Sequence, residues 1–211
     1  MMGREMSDIR PVGEFGSKEW CVACAGEGVK ILKDADLPSG LEWGFSEIYT
    51  HAPERLLAGD REISAYYFMV KDGEVTGGDG APDECRALPG FHVKIQWAAI
   101  CNQSQSKYGR KGQKQRSEEE RSLFQEIAEF LGRSNPLGLG GGPKAIWPKE
   151  IGEALGKGSE EGGGLHNIAA SLQIPSPEFA DLPTTQLGVP VFSQMTDDRK
   201  KSFLRLCGIQ I

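Results

Sequence analysis

Hydrophobic and polar positions change period once along the chain. In the first half the period is two. Phe91-His-Val-Lys-Ile-Gln-Trp97 sets Phe91, Val93, Ile95 and Trp97 against His92, Lys94 and Gln96, which puts apolar and polar side chains on opposite faces of a strand. Arg61 to Val70 is rich in aromatic and β-branched residues, and Asp72-Gly73 after it is a tight-turn pair that predicts a return strand from Glu74 to Thr76. A third strand is expected from Leu41 to Tyr49, with Leu41, Trp43, Phe45 and Tyr49 as its apolar members, and Ala52 to Leu57 reads as a short helical turn opened by Pro53.

In the second half the period becomes helical. Ser117-Glu-Glu-Glu120 has capping-box spacing, and Leu123, Phe124, Ile127, Phe130 and Leu131 follow as an apolar stripe with Gly132 as its stop. A short helix is expected near Pro148 to Leu155. The last helix should start at Thr196 as cap, with Asp197 and Asp198 in its first turn and Phe203, Leu204 and Leu206 buried. An Ile-small-x-x-Leu pattern recurs at Glu126–Gly132, Glu150–Gly156 and Asn167–Gln173, and ordinary helix ends explain it. The stretch from Asn167 to Phe179 also resembles the turn of a helix-turn-helix, although no Lys or Arg lies within 168–198 to meet phosphate.

Together these elements predict an α+β protein with an antiparallel sheet in the first half and a glycine-rich helical second half. The boundaries expected are 1–106, mostly β and acidic, a basic loop at 107–116, and a helical portion at 117–211; the parts either fold separately or form one continuous domain.

Composition adds bounds. With 211 residues, 38% hydrophobic and 26% charged, the chain can bury a core without disulfides. The net charge of −6 disfavours nucleic acid as a partner, but the charge is uneven: residues 1–106 carry 10 Lys/Arg against 17 Asp/Glu, and residues 107–211 carry 14 against 13. The exception is the loop holding Lys107, Tyr108, Arg110, Lys111, Lys114 and Arg116, the alternative site for nucleic acid or an acidic partner. No apolar run approaches the ~18 residues of a membrane span, and no signal-peptide pattern opens the chain, so a cytoplasmic location without membrane partners is expected. Five Cys, an odd number with one close pair, point to reduced thiols.

The most specific chemical string is Trp20-Cys-Val-Ala-Cys-Ala-Gly-Glu-Gly28. Over eight residues it resembles one repeat of the DnaJ-type cysteine-rich module, which implies Cys21 and Cys24 as zinc ligands, though no second Cys-x-x-Cys pair follows. Trp-Cys-x-x-Cys is also similar to the thioredoxin active-site turn, which implies a redox dithiol. In chain order the sequence is similar to papain-like and NlpC-like cysteine hydrolases, which implies Cys21 or Cys24 as nucleophile, His92 as base and Asn102 as orienter. A thiol-dependent enzyme, hydrolase or redox, is the leading expectation; whether the chain is an enzyme stays open, and zinc is the one cofactor considered. The oxygen residues of 72–83 echo a calcium loop but fit a hairpin, Gly138–Gly142 lacks the Lys-Ser/Thr of a phosphate loop, and His51 and His166 read as structural.

Overall fold

The computed structural model of the chain describes residues 10–105, 123–133, 146–156, 164–184 and 190–211. The first helix, α1 (Lys18–Lys33), starts where Ser17 accepts a hydrogen bond from the Trp20 amide at 3.2 Å. Its buried positions Trp20, Cys21, Cys24, Ala25, Gly28 and Leu32 recur at helical spacing and form one face. The helix is continuous through Gly26 and Gly28. At Gly28 the reason is packing: a Cβ there would stand 2.7 Å from the Phe68 ring, so glycine lets the helix lie directly on the sheet.

The sheet contains β2 (Trp43–Thr50), β3 (Ser64–Lys71), β4 (Glu74–Asp79) and β5 (Gly90–Gln96) in the order β4-β3-β2-β5; β1 (Gly13–Glu14) lies outside it. The predicted hairpin forms, with Asp72 at φ 52° and Gly73 at φ 79° supplying its left-handed turn. One detail of the expected sheet is corrected. It is mixed, because β5 runs parallel to β2. After β4 the chain passes through the one-turn helix α2 (Asp83–Arg86) to the free edge of β2, and a strand that arrives by such a crossover runs parallel to its neighbour.

Beyond β5 come α3 (Trp97–Gln105), α4 (Leu123–Leu131), α5 (Lys149–Gly156), α6 (Leu165–Ser171), β6 (Gln173–Ile174), α7 (Pro177–Ala180) and α8 (Asp197–Leu206). Gly132 ends α4 at φ +61°, and Thr196 caps α8 by accepting from the Arg199 amide. The helix-turn-helix reading is overturned: between α6 and the four-residue α7 the chain forms β6, which pairs in parallel with β1. Ser117–Glu120 and the basic loop lie outside the described residues.

One hydrophobic cluster includes residues from both halves, from Phe15 to Ile209. Three buried tryptophans tie distant segments together through their indole N–H groups: Trp20 donates to the Ala169 carbonyl (2.9 Å), Trp43 to Ile146 (2.7 Å) and Trp97 to Phe15 (2.8 Å). Arg55 pairs with Glu14 and Glu178, which joins β1 to the start of α7 at the surface. No helix among the described residues is long and apolar enough to cross a membrane.

Candidate functional site

The alternation of β2 and β5 decides which predicted site residues can meet. Phe45, Glu47 and Tyr49 point to one face of the sheet, and Phe91, Val93 and Ile95 lie beside them in register; Tyr66 and Phe68 of β3 belong to that same face. Helix α1 packs there, with Trp20 against Tyr66 and Gly28 against Phe68. Cys21 and Cys24 are on that side. Ser46 and His92 are register partners on the opposite face, where Ser46 Oγ meets His92 Nδ1 at 2.9 Å. His92 Nε2 donates to the Leu88 carbonyl at 3.0 Å, so the ring is the Nε2–H tautomer and Nδ1 accepts from the serine.

The structure therefore does not bring the imidazole to either thiol. The sheet lies between them. The fourth member of the expected constellation, Asn102, falls on α3, and its side chain lies outside the described residues. Lys107, Tyr108, Arg110, Lys111, Lys114 and Arg116 lie outside them entirely.

The thiols themselves are enclosed. Cys21 and Cys24 are fully buried, and burial pushes the Cys21 thiol up to about 12 although the Arg61 guanidinium donates to its sulfur at 3.1 Å. Cys24 is pushed up as well, by burial first and then by Cys21 and Glu47. Among the described residues no group of three or more His, Cys, Asp or Glu side chains is placed to hold a metal ion. As to zinc, Cys21 and Cys24 occupy the buried face of α1 rather than a turn.

Arg61 beside them is an 8% exposed cation with its donors in use: it reaches both oxygens of Asp79 (3.2 and 2.6 Å), the carbonyls of Gly16 (2.7 Å) and Leu56 (2.8 Å), and Cys21.

The same face of the sheet carries a feature that no motif announced. Between β2, β3 and β5 on one side and α1, α3, α5 and α6 on the other is a cavity of about 440 Å³. Among the described residues its wall is Phe15, Trp20, Phe45, Tyr66, Phe91, Ile100, Trp147, Leu155, Leu165 and neighbouring small residues, with Glu47 as the one carboxyl and no Lys or Arg. A larger depression of about 750 Å³, between the end of α1 and the β3–β4 hairpin, is lined by such polar groups as Lys33, Asp36, Ser39, Glu74 and Thr76. Of the two, the smaller one has the predominantly apolar wall of a small-molecule site.

Glu47 is the anomaly of that wall. Alternation alone places it on the apolar face, between Phe45 and Tyr49. Tyr49 Oη donates to its Oε2 at 2.6 Å. It is deeply placed but retains some accessible surface, because the cavity reaches it. Burial holds its carboxyl above the usual range, and the bond from Tyr49 only partly opposes this. Tyr49 and Tyr66 are both raised well above the ordinary phenol value by burial, with Glu47 adding to it, so both stay protonated donors.

At the rim stands His166, solvent-exposed near the start of α6, together with Trp147, 43% exposed, whose ring lies 5.4 Å from Trp43 and 5.2 Å from Phe91. Sequence reading treats His166 as structural; it lines the opening. A carboxylate at an apolar parity position is the one signal in the sequence that could have drawn attention to Glu47. No protein-family model matches the chain, and no curated protein or solved structure matches it.

Proposed function

We propose that the protein is a binding protein for one small apolar molecule, held between the sheet and helices α1, α5 and α6. The observation that supports this reading is the cavity itself: about 440 Å³ of space walled by aromatic and aliphatic side chains of the hydrophobic cluster. Its volume falls in the range of roughly 300–1,000 Å³ occupied by single small ligands. Transfer of an apolar molecule from water onto such walls is favourable at roughly 25 cal/mol per Å² of apolar surface removed from solvent. Buried thiols held protonated favour a role in packing.

The test is a titration with the uncharged fluorophore N-phenyl-1-naphthylamine. Saturable one-to-one binding is expected, and Ala169→Phe, which places a ring in the cavity from α6, should weaken it at least about tenfold while leaving the melting temperature unchanged or higher. Absence of saturable binding by the wild-type chain, or undiminished binding by the Ala169→Phe variant, overturns the reading.

A further inference from the structure

Resting on that reading, we propose that the ligand is aromatic: a flat, fused ring system seated on the aromatic wall of the cavity and against the backbone of α5 at Gly152. The arrangement of the wall carries this. Six aromatic side chains of the lining form one unbroken chain, Phe15, Trp20, Tyr66, Phe45, Phe91 and Trp147, with successive ring centroids 4.5, 5.7, 5.4, 5.3 and 5.2 Å apart. The chain runs from α1 over β3, β2 and β5 to the residue just ahead of α5, so no single element accounts for it. Neighbouring ring planes meet at angles from 20° to 81°, a mixture of stacked and edge contacts. An aromatic guest is favoured against rings in either geometry, beyond the area it buries, whereas a saturated guest gains from area alone. Along a chain so spaced, fused rings meet more partners than one ring does.

Gly152 supplies a second observation. It lines the cavity and lies inside α5, where glycine weakens a helix relative to alanine. A left-handed turn does not explain it, because its φ is not positive. Close packing does not explain it either: beyond its own stretch of helix, no atom of the described residues lies within 4 Å of the place a Cβ would take. Gly28 shows the contrast, since there the Phe68 ring fills that place at 2.7 Å. A bare helix backbone beside a cavity allows the flat face of a guest to approach closely. Gly156, four residues on, lines the same cavity but closes the helix, where glycine is ordinary.

The experiment compares naphthalene and decalin, one carbon skeleton with and without aromatic rings, on the full chain by headspace gas chromatography. With each affinity corrected for the compound's partition between water and cyclohexane, naphthalene should bind at least about threefold tighter. Phe91→Leu and Trp147→Leu each exchange a ring of the wall for an aliphatic side chain, and each should weaken naphthalene by about three- to tenfold while leaving decalin within about twofold. Gly152→Ala should raise the melting temperature by about 2–4 °C and weaken naphthalene at least about threefold. A glycine with a purely structural role would not give a gain in stability together with a loss of binding.

If Phe91→Leu does not fold, Trp147→Leu decides, at a position 43% exposed. Equal corrected affinities for naphthalene and decalin, or equal weakening of the two by Trp147→Leu, overturns the aromatic assignment while leaving an apolar cavity. Undiminished naphthalene binding by Gly152→Ala overturns the seating against α5. Failure of both hydrocarbons to bind the wild type removes the cavity reading itself.

Discussion

Arg61, on the segment before β3, and Glu47, on β2, are two ionisable side chains packed into the same core, and they are solved in opposite ways. The guanidinium of Arg61 is closed on all sides, by Asp79, two carbonyls and a sulfur. The carboxyl of Glu47 has one oxygen bonded to Tyr49, and its side chain lines a cavity. A buried polar group that is fully partnered fixes structure, because each partner is held in one place. A buried polar group with an open valence beside an apolar space lowers stability unless something arrives to meet it. The contrast separates framework from site without reference to any motif.

The comparison breaks most sharply at Arg61. Arg61→Ala leaves Asp79, Gly16, Leu56 and Cys21 without their shared donor, and the half-buried Asp79 without its counter-charge. Loss of one partner of a fully buried pair costs about 3–5 kcal/mol, and with Asp79 partly exposed the loss here falls at about 2–3 kcal/mol. Urea unfolding should show a loss of that size, and a loss below about 1 kcal/mol would mean that the clamp is dispensable.

How much of this was legible in the sequence differs between the two residues. The strands around both were readable from alternation, and the caps Ser17 and Thr196 and the stop Gly132 satisfy helix-end groups as local chemistry requires, although the start at Ser17 was not anticipated. Short-range patterns encode such features because their partners lie within a few residues. The parallel entry of β5, the pairing of β1 with β6 and the cavity depend on contacts between segments more than 40 residues apart, for which alternation has no register.

The Cys-x-x-Cys string attracted three chemical readings because its spacing suits a turn. On α1 the same spacing is i, i+3 on a buried face, where thiols serve as small apolar side chains. His92 was correctly placed on the polar face of its strand, and that face lies away from α1.

The next largest effect concerns the contact that holds α1 over both residues. Gly28→Ala would place a methyl 2.7 Å from the Phe68 ring, which forces the helix away from β3 or the ring out of its rotamer. Overpacking of this kind costs about 1–3 kcal/mol. Because α1 carries Cys21 toward Arg61 and Trp20 into the cavity wall, the variant should lose stability and also change affinity for the fluorophore. A change in stability with unaltered affinity would show that the cavity does not depend on the seating of α1.

The thiols sharpen the framework side of the comparison. Burial raises Cys21 to about 12, Cys207 to about 12 and Cys85 to about 11, whereas unfolded thiols titrate near 8.5. Between those values the unfolded chain binds fewer protons than the folded one, so stability is lost as pH rises from about 8.5 toward 11–12. Melting temperature should fall steadily over that window. At pH 8 alkylation by iodoacetamide should be slow for these thiols until denaturant is added, and rapid labelling of Cys21 in the folded chain would contradict an enclosed framework.

The smallest effect on stability at neutral pH is expected at Glu47. Its carboxyl is raised in the folded protein, so between the unfolded value near 4.3 and the higher folded value the native state binds more protons than the unfolded state. Its contribution is therefore fully present below the unfolded value and is lost as pH rises through the folded one, the reverse of a salt-bridged carboxylate. Glu47→Gln removes that loss while keeping an acceptor for Tyr49. Its stability relative to wild type should rise from pH 4 to pH 8, with a difference at pH 7 of no more than about 1 kcal/mol. The same substitution at Arg61's partner, Asp79→Asn, should be destabilising at neutral pH, because there the charge has a fixed counterpart. Opposite signs for the two acid-to-amide changes at pH 7 would confirm that one buried polar group is closed and the other open; a loss of stability in both would place Glu47 in the framework with Arg61.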